Sequence, residues 1–267
     1  MQVLHGRVAI VVGASGTIGS VTALALARRG ATVVLAALPD GALETVTATL
    51  SSAGASVLAV PTDITQREDI DRLVATTLDQ FGKVDILANV AGISSSPSLC
   101  DATDEMLEAV VDINLLGAAR LMHAVLPAMK ARRSGSIVHV GSVAGEAGVL
   151  GIYSASKFGL RGLCDSVRRE VRSFGITVSL IEPGLIRSAN PKEANRPGPQ
   201  IVADAILGAI ARPRRAVIVP WPYRLPVFLV NLFPGIADIV FGDARIQELL
   251  NNDARSAPQR QGSAKSK

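Results

Sequence analysis

Arg7–Gly30, RVAIVVGASGTIGSVTALALARRG, decides the fold. Arg7–Val12 is an unbroken apolar run, the pattern of a strand buried on both faces. It passes straight into the glycine turn Gly13–Gly19, and Val21, Leu24, Ala25 and Ala27 then recur at helical spacing up to Arg28-Arg29-Gly30. Strand, glycine turn and helix, in that order, are the setting in which a chain binds a dinucleotide. Gly13, Gly16 and Gly19 allow a tight turn and close approach to a pyrophosphate, whose charge meets the helix N-terminus. Ser15, Thr17 and Ile18 belong to the same candidate cofactor site.

The alternation continues outward from this unit. Strands are predicted over Thr32–Ala36, Ser56–Pro61, Ile86–Asn89, Ser136–Gly141, Thr177–Ile181 and Ala216–Val219, with helices between them that include Gln66–Phe81, Asp104–Arg132 and Ile201–Ala211. The fold class expected is α/β, a doubly wound parallel seven-stranded sheet with right-handed crossovers. In such sheets ligands bind at the carboxyl ends of the strands, where Gly13, Asn89, Ser142 and Pro183 all stand. Asp63 follows the third strand, either as a turn aspartate or where an adenine amine is held. Asp40 reads as the cap of the helix that begins at Gly41. Asn114 falls on the apolar stripe Leu107, Val110, Leu115, Ala118, Leu121 and Val125, and a buried amide must be bonded internally or serve a site.

The candidate chemistry lies in His139–Gly162, HVGSVAGEAGVLGIYSASKFGLRG. Ser142 ends an apolar run, and Tyr153 and Lys157 then share one face of a predicted helix, one turn apart. An ammonium there favours the phenolate, so the phenol can exchange a proton near neutral pH. Ser142 can hydrogen-bond the oxygen of a carbonyl or alcohol. This is an acid/base arrangement for redox chemistry at a C–O bond.

Composition excludes other classes. At 267 residues and 48% hydrophobic content the chain can bury one large core. Cys100 and Cys164 stand in no metal or redox spacing, and His5, His123 and His139 are scattered, reading as satisfied single histidines; no metal is expected. The pI near 9.4 comes from dispersed arginine pairs without an aromatic-interleaved stripe, so nucleic acid is not the expected partner. The first strand begins a few residues after Met1, and with the cysteine usage this predicts a cytoplasmic location. No G-x-S-x-G turn or Ser/His/Asp set supports a hydrolase.

Together, Gly13–Gly19, Asp63, Asn89-Val90-Ala91-Gly92, Asn114, Ser142, Tyr153-x-x-x-Lys157 and Pro183-Gly184 resemble the short-chain dehydrogenase/reductase family, in its single-domain branch, over roughly residues 5 to 220. The resemblance implies a Rossmann fold with sheet order 3-2-1-4-5-6-7 and a nicotinamide cofactor. It makes Tyr153 the general acid/base and gives Ser142 the substrate oxygen. It gives Lys157 the nicotinamide ribose and the lowering of the tyrosine pKa, and Asn114 the water of a proton relay. Asn89, Ala91, Gly92, Pro183, Gly184, Ile186 and Ser188 complete the implied cofactor set. Four departures stand out: Thr17 in a glycine position, Val90 in the second asparagine position, Ser188 for the usual threonine, and a Ser142-to-Tyr153 interval two residues shorter than usual. Enzymes of this type that use NAD place an acid after the second strand and those that use NADP a base. Here the residues are Ala36-Ala37-Leu38-Pro39-Asp40; the missing acid favours NADP, and the missing base leaves NAD open.

Residues 1–220 are expected to form the catalytic domain, 221–251 an apolar extension and 252–267 a disordered tail. Ser188–Gln200, with three prolines, reads either as a lid or as a surface loop. The stretch WPYRLPVFLVNLFPGIADIVFG is broken too often by proline to span a membrane. It closes a lipophilic substrate pocket, docks on a partner subunit in a homo-oligomer, makes a peripheral membrane contact through 221–241, or packs as ordinary core; the pocket is the role expected here. The function expected is an NAD(P)-dependent oxidoreductase acting on a lipophilic small molecule. The alternative is a non-catalytic nicotinamide-nucleotide-binding regulator on the same fold.

Overall fold

A computed structural model describes residues 3–93, 98–187, 193–243 and 246. Seven parallel strands form one sheet in the order β3-β2-β1-β4-β5-β6-β7, as expected. They are β1 (Val8–Val12), β2 (Thr32–Ala37), β3 (Val57–Pro61), β4 (Ile86–Asn89), β5 (Gly135–Val140), β6 (Ile176–Pro183) and β7 (Ala216–Val219). The helices are α1 (Thr17–Ala27), α2 (Ala42–Ser52), α3 (Arg67–Phe81), α4 (Asp104–Val111), α5 (Gly117–Arg132), α6 (Ala144–Ala147), α7 (Gly151–Val171), α8 (Gln200–Ala211), α9 (Arg224–Leu232) and α10 (Pro234–Phe241).

The apolar runs are continuous because the sheet is covered on both faces. Along β1 the side chains alternate between two cores: Val8, Ile10 and Val12 pack with α3, α5 and α7, while Ala9 and Val11 pack with α1, α2 and α8. Ile10, Leu35 and Leu87 are wholly buried, each worth about 1.5–3 kcal/mol relative to exposure. The Asp104–Arg132 stretch is long and apolar enough to cross a bilayer. Its apolar stripe, with Leu121, Val125 and Met129, lies in the first of these cores instead.

Three local expectations change. The expected single helix over Asp104–Arg132 is interrupted by a π turn at Asp112–Leu116, centred on Asn114. Gly41, and not Asp40, occupies the N-cap position of α2, at φ 72°. β6 runs two residues further than Ile181, so Glu182 and Pro183 are part of the strand. Ladder pairing with β7 carries it on, Pro183 lying opposite Val219.

Candidate active site

The strand order reverses at β1, which pairs with β2 on one side and β4 on the other, and the crevice at their carboxyl ends holds the predicted residues. Gly13 sits at φ 78°, and a β-carbon there would stand 2.8 Å from the main-chain nitrogen of Ala91. The two loops therefore touch only because position 13 has no side chain. Gly16 caps α1, and Thr17, Ile18 and Gly19 form its first turn, which carries no acidic residue. Their N–H groups are the ordinary anion site of a helix start. On the other side of the crevice a β-carbon at Gly92 would lie 3.0 Å from Asn114 Oδ1 and 3.2 Å from Lys157 Nζ. A helix start without acidic side chains at the glycine turn, with Gly92 and the Lys157 ammonium close by, fits a nicotinamide dinucleotide.

Asp63 and Asn89 are both bonded within turns beside the site. Asp63 Oδ1 accepts from Thr65 N (2.9 Å) and Thr65 Oγ1 (2.8 Å), the bonds of a turn aspartate. Asn89 is buried; its Oδ1 accepts from Ala91 N (3.1 Å) and its Nδ2 lies 3.1 Å from His139 Nδ1. Its side chain shapes the Ala91-Gly92 turn. Ser188 lies outside the described residues, as do the start of the Ser188–Gln200 segment and the 252–267 tail.

Ser142, Tyr153 and Lys157 come together. The Ser142 loop continues β5, and Val143 N donates to Pro183 O (3.0 Å), tying this loop to Pro183-Gly184. Ser142 Oγ accepts from Ala144 N (3.1 Å), which orients it near the Tyr153 phenol. Helix α7 starts at Gly151, so Tyr153 already lies within its first turn. Burial raises the phenol above its ordinary value, with Ser142 pulling the other way. The expected lowering by Lys157 is not what the geometry gives. Lys157 Nζ donates to Val140 O (3.1 Å) and stands 5.7 Å from the centre of the Tyr153 ring. Burial brings its own pKa down to about 8.

Asn114 is fully engaged. Its Oδ1 accepts from Ile93 N (2.9 Å), and its Nδ2 donates to Ile93 O (2.9 Å) and to Ser156 Oγ (3.1 Å). Ser156 in turn donates to Tyr153 O (2.7 Å). The amide on the apolar stripe is thus a pillar between the Gly92-Ile93 loop and α7, and Ser156 is a site residue that sequence reading missed. Its position inside Tyr153-x-x-x-Lys157 was the available signal.

Two further groups were missed. His139, expected to be satisfied, is completely buried with no partner on Nε2, and burial with the nearby Lys157 charge brings its pKa down to about 3. Tyr223 packs its ring where a β-carbon of Gly184 would be, and its hydroxyl accepts from Leu185 N (3.4 Å). Beside it, Arg161 on α7 pairs with Glu146 of α6 and with Glu182 of β6 (3.2 Å). Burial pushes the Glu182 carboxyl up to about 7 against the pull of Arg161 and Arg215. Within the stretch expected to close a substrate pocket, Leu225, Phe228, Leu229 and Leu232 of α9 are exposed and Val227 is buried.

Residues 7–198 match the short chain dehydrogenase family. An uncharacterized oxidoreductase of Staphylococcus haemolyticus is 34% identical over 220 residues, covering 80% of this chain and 94% of that protein. A 3-oxoacyl-[acyl-carrier-protein] reductase of Synechocystis is 38% identical over 198 residues, covering 73% and 80%. Among solved structures, a single-residue variant of actinorhodin polyketide ketoreductase with NADPH superposes with TM-score 0.75 at 29% identity, covering 80% of this chain and 95% of that one. Levodione reductase, at 24% identity and TM-score 0.75, shares the fold. The chain belongs to the short chain dehydrogenase family and is an NAD(P)-dependent oxidoreductase.

Proposed function

We propose that this enzyme interconverts an alcohol and a ketone or aldehyde on a lipophilic small molecule, with Tyr153 as the acid/base. The observation that carries the reading is the gathering of Ser142, oriented at the carboxyl end of β5 by Ala144 N, with Tyr153 and Lys157 one turn apart on α7. Bound NAD(P) supplies or accepts the hydride. Ser142, oriented by Ala144 N, donates to the substrate oxygen, and Tyr153 gives that oxygen its proton in the reductive direction. Lys157, still charged near neutrality, holds the ribose side of the cofactor; Asn114 and Ser156 keep α7 and the Gly92 loop in register. The water relay expected at Asn114 does not draw on its amide hydrogens, which are already taken.

Val149, Leu150 and Ile152 before the tyrosine, and Leu185 and Ile186 after Gly184, support an apolar substrate. The relatives named as a 3-oxoacyl-[acyl-carrier-protein] reductase and a polyketide ketoreductase support keto reduction. NADP is the preferred cofactor in this reading, supported by Ala36 and Ala37 at the end of β2, which offer no carboxylate to repel a phosphate. A homo-oligomer is supported by the groove between α5 and α7, lined by Met122, Leu126, Leu163 and Val167. Following NADPH and NADH oxidation with a panel of aliphatic and cyclic ketones of rising chain length tests the reading. It predicts kcat/KM rising with apolar length, and turnover of none of them, with either cofactor, contradicts it.

A further inference from the structure

The chain leaving β7 turns back onto the loop that follows β6. Gly184 N donates to the carbonyl oxygen of Val219, the last residue of β7 (2.8 Å). A short turn at Trp221–Tyr223, with Tyr223 N bonded to Pro220 O (3.2 Å), then lays the Tyr223 ring over the same glycine. Gly184 does not have positive φ, so its backbone conformation does not demand glycine. The ring does: a β-carbon at position 184 would stand among its atoms. Bare main chain against an aromatic face leaves the loop no room to shift toward Tyr223. The hydroxyl of the same side chain accepts from Leu185 N (3.4 Å). One residue therefore holds two consecutive loop residues, by contact and by hydrogen bond. Arg187 N donates to Pro197 O (2.9 Å), which fixes the far end of the stretch.

Tyr223 is itself held in place. It precedes α9, which packs on α6; Val227 of α9 is buried, and Asn231 Nδ2 donates to Glu146 Oε2 of α6 (3.5 Å). Helix α6 begins at Ala144, whose N–H orients Ser142 Oγ. Pro183 O in turn accepts from Val143 N, beside Ser142 (3.0 Å). The loop beyond β6 is thus bonded to the Ser142 loop through Pro183 and to Tyr223 through Gly184 and Leu185. The glycine turn at the start of α1 suits the pyrophosphate, and the ring that exchanges the hydride must reach the oxygen held by Ser142 and Tyr153. The stretch bonded to the Ser142 loop then borders the nicotinamide end, and Ile186 belongs to the cofactor set that the family resemblance implies. We propose that Tyr223 is a positioning residue for the reaction, fixing Gly184–Ile186 against the nicotinamide end of the cofactor. This role rests on the Tyr153 acid/base reading, which puts the nicotinamide at that end.

Two kinds of ligand separate the ends of the cofactor site. NADPH and NADH carry the nicotinamide, whereas ADP-ribose and its 2′-phosphate lack it and report on the adenosine and pyrophosphate part alone. The test measures dissociation constants for both kinds, kcat and KM for a water-soluble ketone, and the melting temperature. It compares the full wild-type chain with Tyr223→Phe and Tyr223→Ala. Tyr223→Ala is expected to lower kcat about tenfold or more and to weaken the reduced cofactor about fivefold or more, with fragment affinity within about twofold. Tyr223→Phe keeps the ring and should recover most of this, staying about two- to fivefold below wild type in kcat, the size of one hydrogen bond. A Tyr223→Ala protein that melts lower yet keeps kcat and both affinities within about twofold of wild type overturns the proposal, because the residue then serves stability alone. Equal weakening of cofactor and fragment overturns it too, since the loss is then general to the site. Should Tyr223→Ala fail to fold, Tyr223→Phe decides: the same selective loss upholds the role, and wild-type values in every readout overturn it. Failure of the wild type to turn over any ketone would sink the catalytic reading, while the comparison of the two ligands needs no turnover and still stands.

Discussion

Lys157 Nζ donates to the carbonyl oxygen of Val140 at 3.1 Å, pinning the catalytic helix α7 to the end of β5. The ammonium is held by a main-chain oxygen of β5, with burial taking its pKa from 10.5 down to about 8. Between those two values the unfolded chain binds the proton more tightly than the folded one, so stability rises with pH through that window. Thermal melts over the pH series should show this rise in the wild type and lose it in Lys157→Met. At neutral pH the variant should melt no lower than the wild type, because a costly buried charge is gone. NADPH affinity should be flat at neutral pH and fall above about 8 in the wild type, and be weak at every pH in Lys157→Met. An unchanged cofactor affinity in the variant contradicts the placement.

Gly184 and Tyr223 make a second checkable pair. A side chain at position 184 would occupy the volume of the Tyr223 ring. Gly184→Ala should therefore cost about 1–3 kcal/mol in urea unfolding, the usual price of overpacking. Adding Tyr223→Ala should return part of that loss, giving a coupling of roughly 0.5–3 kcal/mol. Strict additivity would mean that the two residues do not meet.

Cofactor choice is tested at the end of β2. Ala37 ends that strand and offers no charge to the adenosine ribose. Ala37→Asp introduces a carboxylate that bonds ribose hydroxyls and repels a phosphate. The ratio of dissociation constants should move toward NADH by about tenfold or more, equivalent to about 1.4 kcal/mol. Nicotinamide fluorescence titration measures it, and an unmoved ratio places the adenosine ribose elsewhere.

Much of this was legible in the residues themselves. The unbroken run Arg7–Val12, the glycine turn and the periodic helix after it required a buried parallel strand feeding a helix, and the observed sheet order agrees. What was not legible depends on contacts across long separations. Asn114 meets Ile93 and Ser156, 21 and 42 residues away, and Asn89 meets His139 across 50. No local periodicity carries such pairings. The π turn at Asn114 was hidden because the apolar stripe continues through it. The phenol's raised pKa was misread for a related reason. Sequence spacing puts Lys157 one turn from Tyr153, yet the ammonium turns to Val140 instead of to the phenol oxygen. Tyr223 was overlooked because its partner is a glycine, which leaves no side-chain pattern to match.

The central claim is that Tyr153 delivers the proton. Tyr153→Phe removes one oxygen and keeps the ring, and its effect on kcat, measured beside NADPH binding, is the most direct test. The account predicts a fall in kcat of about 10²–10⁴, with the NADPH dissociation constant within twofold of wild type. Turnover by Tyr153→Phe within tenfold of wild type would contradict it.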